Sequence, residues 1–454
     1  MASLKSQKPV CVIVGLGITG LACARFLHAE GRPFKVVDSR PEPPALAEFS
    51  RLFPEAEVEL GEFREATFRG AAELIVSPGV GLETPAIARA REAGVPISGD
   101  IDLFARRARK PVIAITGSNG KSTVAALVAA ILEEAGHVVG LGGNLDASHG
   151  KPALDLLSQG GVEFYVLELS SFQLETTANL KAEVATILNL SEDHMDRYDS
   201  LAAYHQAKLR IFNGCRQVVV NHDSPYSAAP EVPGRPLWEF GFGEPGAKTV
   251  GVVSDAGEQF IAWHKERILP VRELKIAGRH NLANAMAAVA LTLAVQTKVD
   301  AIRNGLRRFP GLPHRCQWVR RLRDVDFYND SKGTNVGATV AAIEGLGQHG
   351  QGRVILIAGG QGKGANFQPL GPVLDRWGKA VVLIGEDAAR IADCLGQEMQ
   401  VSIADSMEEA VSTAAAAADP GDVVLLSPAC ASFDMFDNFA HRGREFTRAV
   451  EALQ

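Results

Sequence analysis

The run Gly117-Ser118-Asn119-Gly120-Lys121-Ser122-Thr123 holds the residue types that bind a polyphosphate. Small residues leave backbone N–H groups free to cradle phosphate oxygens, Lys121 can sit on the β and γ oxygens, and a hydroxyl after the lysine can ligate Mg2+. The loop departs from the general phosphate-loop pattern, because Ile115 stands at that pattern's first glycine and the run reads TGxNGKS. A plain Gly-Lys turn is the alternative. A metal-bound nucleotide also needs an acid at the end of a neighbouring strand, and Glu168 closes the apolar run Phe164–Leu167. It could be a solvated strand end, yet an acid flanked by Val166, Leu167 and Leu169 is costly to bury unless paired or metal-bound. Further on, Asn189-Leu190-Ser191-Glu192-Asp193-His194-Met195-Asp196-Arg197-Tyr198 concentrates polar groups where a strand ends. On its own type His194 reads as a structural or surface histidine, and Lys208, in AAYHQAKLRIF, as an ordinary helix lysine.

A second glycine loop, Gly15-Leu16-Gly17-Ile18-Thr19-Gly20, follows Val10–Val14 and opens a helical run through Leu27, with Asp38 ending the next strand. That is the dinucleotide fingerprint in its strand–turn–helix setting. The same glycines could merely close a turn, or bind a nicotinamide cofactor. The stronger phosphate loop at 117–123 argues against the latter as the working cofactor.

The elements that must position these loops recur along the chain. Apolar runs at Pro9–Val14, Phe34–Val37, Leu74–Val76, Pro111–Thr116, Phe164–Leu169, Val184–Leu190, Val354–Ala358, Val381–Ile384 and Val423–Leu426 alternate with Ala/Leu-rich helical stretches such as Ser122–Ala135. Continuous rather than alternating apolar strands predict parallel sheets covered on both faces, with ligands at the strands' carboxyl ends. Turn-forming seams at Gly94–Asp100 and Phe309–Pro313 divide the chain into 1–99, 100–311 and 312–454. The fold class is therefore α/β: three domains of open, mostly parallel sheets, the outer two Rossmann-like and the central one a phosphate-loop ATPase type. Residues 221–275 read as a small β insertion or edge of the middle domain.

With 454 residues, 46% of them hydrophobic and 22% charged, the chain sits in the soluble globular class. Lys+Arg total 46 against 53 Asp+Glu, a net charge of -7, which leaves no cationic excess for nucleic acid or an anionic membrane. Six scattered cysteines without metal-ligand spacing, no apolar leader and no span-length apolar run predict a cytoplasmic location.

Taken together, GLGITG, ITGSNGKST, LELSSFQLE, LSEDHMDRY, AKLRIF, GRHNLANA, GLPHR, NDSKGTN and SPACASFDMFDNF make the chain resemble the Mur ligases of bacterial cell-wall synthesis, nearly end to end. The resemblance implies an ADP-forming ligase that adds D-glutamate to UDP-N-acetylmuramoyl-L-alanine through an acyl phosphate, using ATP and two Mg2+ ions and acting as a monomer. It implies that Gly117, Asn119, Gly120, Lys121, Ser122 and Thr123 hold ATP phosphates, that Asn281 and Asn284 meet the adenine, and that His314, Arg315 and Asp330 complete that site from the third domain. Ser122 and Glu168 would hold one ion, His194 and Lys208 the other, the lysine as its carbamate, an anionic oxygen ligand that a protonated amine cannot be. Lys121, His194 and Lys208 are thus the expected catalytic set. Ile18, Thr19, Asp38, Ser39, Arg40, Ser77, Gly79 and Asn144 would contact the UDP-linked substrate, and Thr334, Lys363, Ser432 and Phe439 the D-glutamate. Gln361 and Asn366 stand where acids are expected in many relatives. Sister ligases for other amino acids, the folate-tailing ligases, a nicotinamide oxidoreductase and a nucleotide switch without ligase turnover are the rivals; the first-domain glycine loop speaks against the folate branch.

Overall fold

A computed structural model describes residues 10–146, 149–347 and 352–454. Pro9, at the head of the first expected strand, lies outside them. The remaining apolar runs become strands because their side chains are buried on both faces, as in β1 (Cys11–Val14), where all four residues are buried. With β2 (Phe34–Asp38), β3 (Val58–Leu60), β4 (Glu73–Val76) and β5 (Ile97–Ser98) it forms a parallel sheet in the order β3-β2-β1-β4-β5.

The second sheet has nine strands. Its parallel part contains β6 (Val112–Thr116), β7 (Val139–Gly143), β8 (Phe164–Glu168), β9 (Val184–Ile187), β10 (Gln217–Asn221), β11 (Leu237–Phe240) and β12 (Thr249–Asp255). β13 (Glu258–Trp263) and β14 (Glu266–Pro270) extend it antiparallel, so the expected β edge within residues 221–275 is a continuation of the central sheet. The order β14-β13-β12-β11-β10-β9-β6-β8-β7 puts β6 between β9 and β8. The carboxyl ends of these three neighbours therefore share one edge.

The third sheet is β15 (Gln317–Leu322), β16 (Val325–Asn329), β17 (Val354–Gly359), β18 (Gly378–Ile384), β19 (Gln400–Ile403) and β20 (Val423–Leu426), in the order β15-β16-β20-β17-β18-β19. Only the β15/β16 pair is antiparallel.

How the domains are joined follows from where the apolar side chains go. One core cluster runs through both of the first two domains, from Leu21 and Leu27 through Phe104 to Tyr165 and Leu174. The Phe104 and Tyr165 rings meet edge-on with centroids 5.0 Å apart. Burying such surface is worth about 25 cal/mol per Å2, which makes the first two domains a joint unit. The third domain keeps its own cores on the two faces of its sheet. Its links to the phosphate loop, described next, are polar. No helix among the described residues is long and apolar enough to cross a membrane.

Candidate active site

β6 is buried throughout and leads straight into the phosphate loop, after which the helix Lys121–Glu134 begins. Gly120 caps that helix at φ +82°, a left-handed conformation that costs a side-chain-bearing residue about 1 to 2 kcal/mol. A Cβ there would also collide with the Asn284 side-chain oxygen. The loop is pinned from behind by the chain leaving β9. Asn119 N donates to Asn189 Oδ1 at 2.9 Å, Asn189 Nδ2 donates to the Asn119 carbonyl at 3.1 Å, and Ser118 N donates to the Asn189 carbonyl at 3.1 Å. This explains one difference from the sequence reading. The strand expected over Val184–Leu190 ends at Ile187, because Asn189 turns its hydrogen bonds to the loop instead of to a sheet neighbour.

Lys121 Nζ donates to the carbonyls of Gly117 (3.0 Å) and Ser118 (2.8 Å). Burial, with the nearby Arg315 cation, pulls its amine below the usual value against the pull of Glu168 and Asp193. Glu168, 3% exposed, accepts from the Ser122 hydroxyl and from Asn144 Nδ2 at 3.3 Å. Both of these donors are neutral. Lys208, 1% exposed, lies behind the loop with Nζ 2.9 Å from the Gly117 carbonyl and 4.4 Å from the centre of the Tyr204 ring. Burial first, then the Lys121 cation, drives its amine well below the ordinary lysine value. His194 sits at φ +58°, its ring edge-on to Phe172 at 4.8 Å. Desolvation and the cations of Lys121 and Lys208 lower it, while Asp193 opposes them.

These residues can be tested against a divalent ion. Among the described residues, no three or more His, Cys, Asp and Glu side chains come together as a ready-made metal cage. A buried carboxylate touching a hydroxyl beside a phosphate-binding loop is nonetheless the partial oxygen set that Mg2+ takes, the remainder coming from phosphates and water. The site fits that ion.

The third domain closes over the loop. Arg315 Nη2 donates to Ser122 Oγ at 2.6 Å, and Lys332 Nζ lies 3.4 Å and Arg315 3.9 Å from the Asp146 carboxylate. Asp330 accepts from the Ser427 hydroxyl (2.7 Å) and the Cys316 amide (3.0 Å), and burial pushes its carboxyl up to about 7.

Two cavities result. One, about 310 Å3, is lined by Asn281, Asn284, Asp330 and His280; the other, about 750 Å3, by Lys121, Ser122, Asn144, Glu168, His194, Thr334, Lys363, Gln361 and Asn366. Asn119, Gly120, Ser191, Arg315, Lys332 and Gly337 form the wall between them.

Not every residue singled out in the sequence lines these cavities. Thr123 and Arg315 do, and Gly117 lies at the loop's base. His314 instead packs behind, its Nδ1 3.1 Å from Asn329 Nδ2 and its ring 6.3 Å from that of Phe439. Buried Ser432 and half-buried Phe439 are likewise not on the cavity walls; Phe439 lies beneath the Lys332 ammonium at 3.8 Å. The first-domain residues gather elsewhere, following the carboxyl ends of the adjacent strands β1, β2 and β4. Ile18 is 65% exposed, Thr19 adjoins it, and Gly79 follows Ser77, whose hydroxyl donates to the Gly15 carbonyl at 3.0 Å. Asp38 is already occupied. It accepts from the Leu16 amide (2.7 Å) and from the amide and guanidinium of Arg40, next to Ser39. Burial would raise the Asp38 carboxyl, but these donors outweigh it and hold it below its ordinary value. Asn189, Asn335, Asp146 and Lys332 were not singled out in the sequence, and only the polar density of the strand-end segment hinted at the first.

Comparison with known proteins agrees with this arrangement. Three family models match consecutive stretches: a Mur ligase MurD-like N-terminal domain (residues 9–99), a Mur ligase middle domain (115–292) and a Mur ligase glutamate ligase domain (314–430). A UDP-N-acetylmuramoylalanine--D-glutamate ligase of Pseudomonas fluorescens (strain Pf0-1) is 52% identical over 442 residues, covering 97% of this chain and 98% of that one. The ligase of the same description from Coxiella burnetii (strain Dugway 5J108-111) is 50% identical over 456 residues, covering 99% and 100%. Among solved structures, a UDP-N-acetylmuramate-alanine ligase from Thermotoga maritima superposes with a TM-score of 0.61 at 20% identity, covering 97% and 99%; MurF from Acinetobacter baumannii gives 0.62 at 17%, covering 97% and 90%. The structural likenesses establish the three-domain fold, and the near-full-length identities carry the classification: the chain belongs to the Mur ligase family.

Proposed function

We propose that this chain joins D-glutamate to UDP-N-acetylmuramoyl-L-alanine with consumption of ATP, releasing ADP and phosphate, as a step in building peptidoglycan precursors. The observation that carries the reading is the contact of Arg315 with Ser122, the hydroxyl that also meets Glu168, because it brings the third domain onto a phosphate loop. We assign residues 1–99 to the UDP-linked substrate, 100–311 to ATP and 312–454 to the amino acid. The protein is expected to work as a monomer in the cytoplasm.

In the first half-reaction the substrate carboxylate attacks the γ-phosphate, the bond to the β-phosphate oxygen breaks so that ADP leaves, and the carboxylate becomes an acyl phosphate. In the second, the amine of D-glutamate attacks that carbonyl and phosphate leaves. Gly117, Asn119, Gly120, Lys121, Ser122 and Thr123 hold the phosphates, and Lys121 offsets the charge of two anions that must meet. Asn281 and Asn284 take the base, with His314, Arg315 and Asp330 serving from the third domain. Bound Mg2+, two ions in this reading, supplies charge neutralisation for phosphoryl transfer. Ser122 and Glu168 would hold one, and His194 and a carbamylated Lys208 the other. Ile18, Thr19, Asp38, Ser39, Arg40, Ser77, Gly79 and Asn144 orient the UDP part, while Thr334, Lys363, Ser432 and Phe439 receive the amino acid. Arg40, half exposed beside Asp38, offers a charge for the diphosphate, and the amides beside Gly17 share that task. No enzyme nucleophile is required.

The test is ADP release measured with and without each substrate. Release should require both UDP-N-acetylmuramoyl-L-alanine and D-glutamate, and Lys121→Ala should abolish it. Near-normal turnover in that variant would remove the phosphate-loop assignment. ADP release indifferent to amino acids would instead favour a nucleotide switch.

A further inference from the structure

Asn335 sits immediately before the third-domain helix Val336–Gly347, and its side chain has two jobs. Its Oδ1 accepts from the Ala338 amide at 2.8 Å, which caps that helix, and from Asn119 Nδ2 at a longer 3.5 Å across the domain boundary. Its Nδ2 donates across the domain boundary, to Asn119 Oδ1 at 3.1 Å and to Asp193 Oδ2 at 3.3 Å. Both acceptors are themselves fixed. Asn119 is gripped through its backbone by Asn189, and the other oxygen of Asp193 accepts from the His194 amide at 3.0 Å. The surfaces are also flush, since a Cβ at Gly337 would lie 2.8 Å from Ser191 Oγ.

We infer that Asn335 is a positioning residue that latches the third domain to the phosphate loop, holding Asn119 and the His194 turn in register as the cleft closes. One primary amide has both hydrogens engaged by the two loops that must be aligned for phosphoryl transfer. The cap survives when the domains part, whereas the latch does not. The inference rests on the proposed function above and deepens it by naming what couples domain docking to loop geometry.

The two jobs can be separated by substitution. Asp and Ser cap helices as well as Asn does, so Asn335→Asp and Asn335→Ser should fold and melt like the parent. Asp has no hydrogen to donate, keeps only the longer acceptor contact with Asn119 Nδ2, and would set a carboxylate against Asp193 and the side-chain amide oxygen of Asn119. Turnover per D-glutamate, kcat/KM, should fall about tenfold or more in Asn335→Asp and less in Asn335→Ser, with ATP affinity by calorimetry within about twofold of the parent. Small-angle scattering supplies a reading independent of turnover. The parent's radius of gyration should shrink on adding ATP, Mg2+ and UDP-N-acetylmuramoyl-L-alanine, and that of Asn335→Asp should not. Parent-like compaction and turnover in both variants overturns the latch. So does lost turnover accompanied by a lowered melting temperature and normal compaction, which marks a purely structural role. Lys121→Ala run alongside distinguishes the failures: if it too turns over normally the phosphate-loop reading falls and takes the latch with it, whereas its loss beside a parent-like Asn335→Asp condemns the latch alone.

Discussion

Lys208 is the residue whose surroundings ask most for explanation. The residue is 1% exposed, and among the described residues its amine meets a carbonyl, a hydroxyl and the Tyr204 ring, with no carboxylate within ion-pair distance. A bare ammonium is costly in such a place, and the shift of this amine well below its ordinary value favours the neutral form. A neutral amine is a nucleophile for carbon dioxide, and the resulting carbamate, once its proton has left, would provide the anionic oxygen ligand called for by the second magnesium proposed above. The expected outcome is that turnover in carbon-dioxide-free buffer drops about tenfold and recovers on adding bicarbonate, a size in keeping with loss of one metal-orienting group. A rate that ignores bicarbonate over the whole range would leave Lys208 an unmodified lysine. Sequence could nominate this position only through resemblance. Nothing in AAYHQAKLRIF distinguishes a buried lysine from a solvated one, because burial is decided by Thr116 and Tyr204 coming together in the fold.

At the scale of elements, the sequence was most legible where strand, turn and helix are adjacent in the chain. β6, the loop and the helix Lys121–Glu134 are one local unit, and their residue types alone dictate its shape. The end of β9 was less legible, since Leu188–Leu190 are as apolar and polar in the mixture expected of a strand end, while their bonds go to a loop about 70 positions earlier. Helix packing was not legible either. In the helix Val299–Arg308, Gly305 lies against the backbone of the helix Lys121–Glu134, where a Cβ would be 2.8 Å from Ile131 Cα. A glycine in the middle of a helix ordinarily weakens it, so close approach explains why it stands here. Gly305→Val is expected to destabilise the protein by about 1 to 3 kcal/mol by forcing these helices apart. A denaturant midpoint equal to the parent's would contradict that packing.

For the molecule as a whole, two domains share an apolar core and the third is held at the phosphate loop by charge and hydrogen bonds. That asymmetry was invisible in the sequence: the seam at 309–313 announces a boundary, but only the fold reveals that Asp146 faces Arg315 and Lys332 across it. Asp146 is 35% exposed in its side chain, so its pairs are worth about 1 kcal/mol or less and are screened by salt. Asp146→Asn should therefore lower turnover only by about fivefold or less at low salt, and should flatten the decline of turnover with rising ionic strength. A variant as salt-sensitive as the parent would show that these cations dock by other means. The partition between the two cavities has a consequence of its own. Asn119, Gly120, Ser191, Arg315, Lys332 and Gly337 face one chamber with one side and its neighbour with the other. An inhibitor wedged into the larger chamber would bend that common partition and so slow the exchange of nucleotide in the smaller one, a remote grip gained without touching the base.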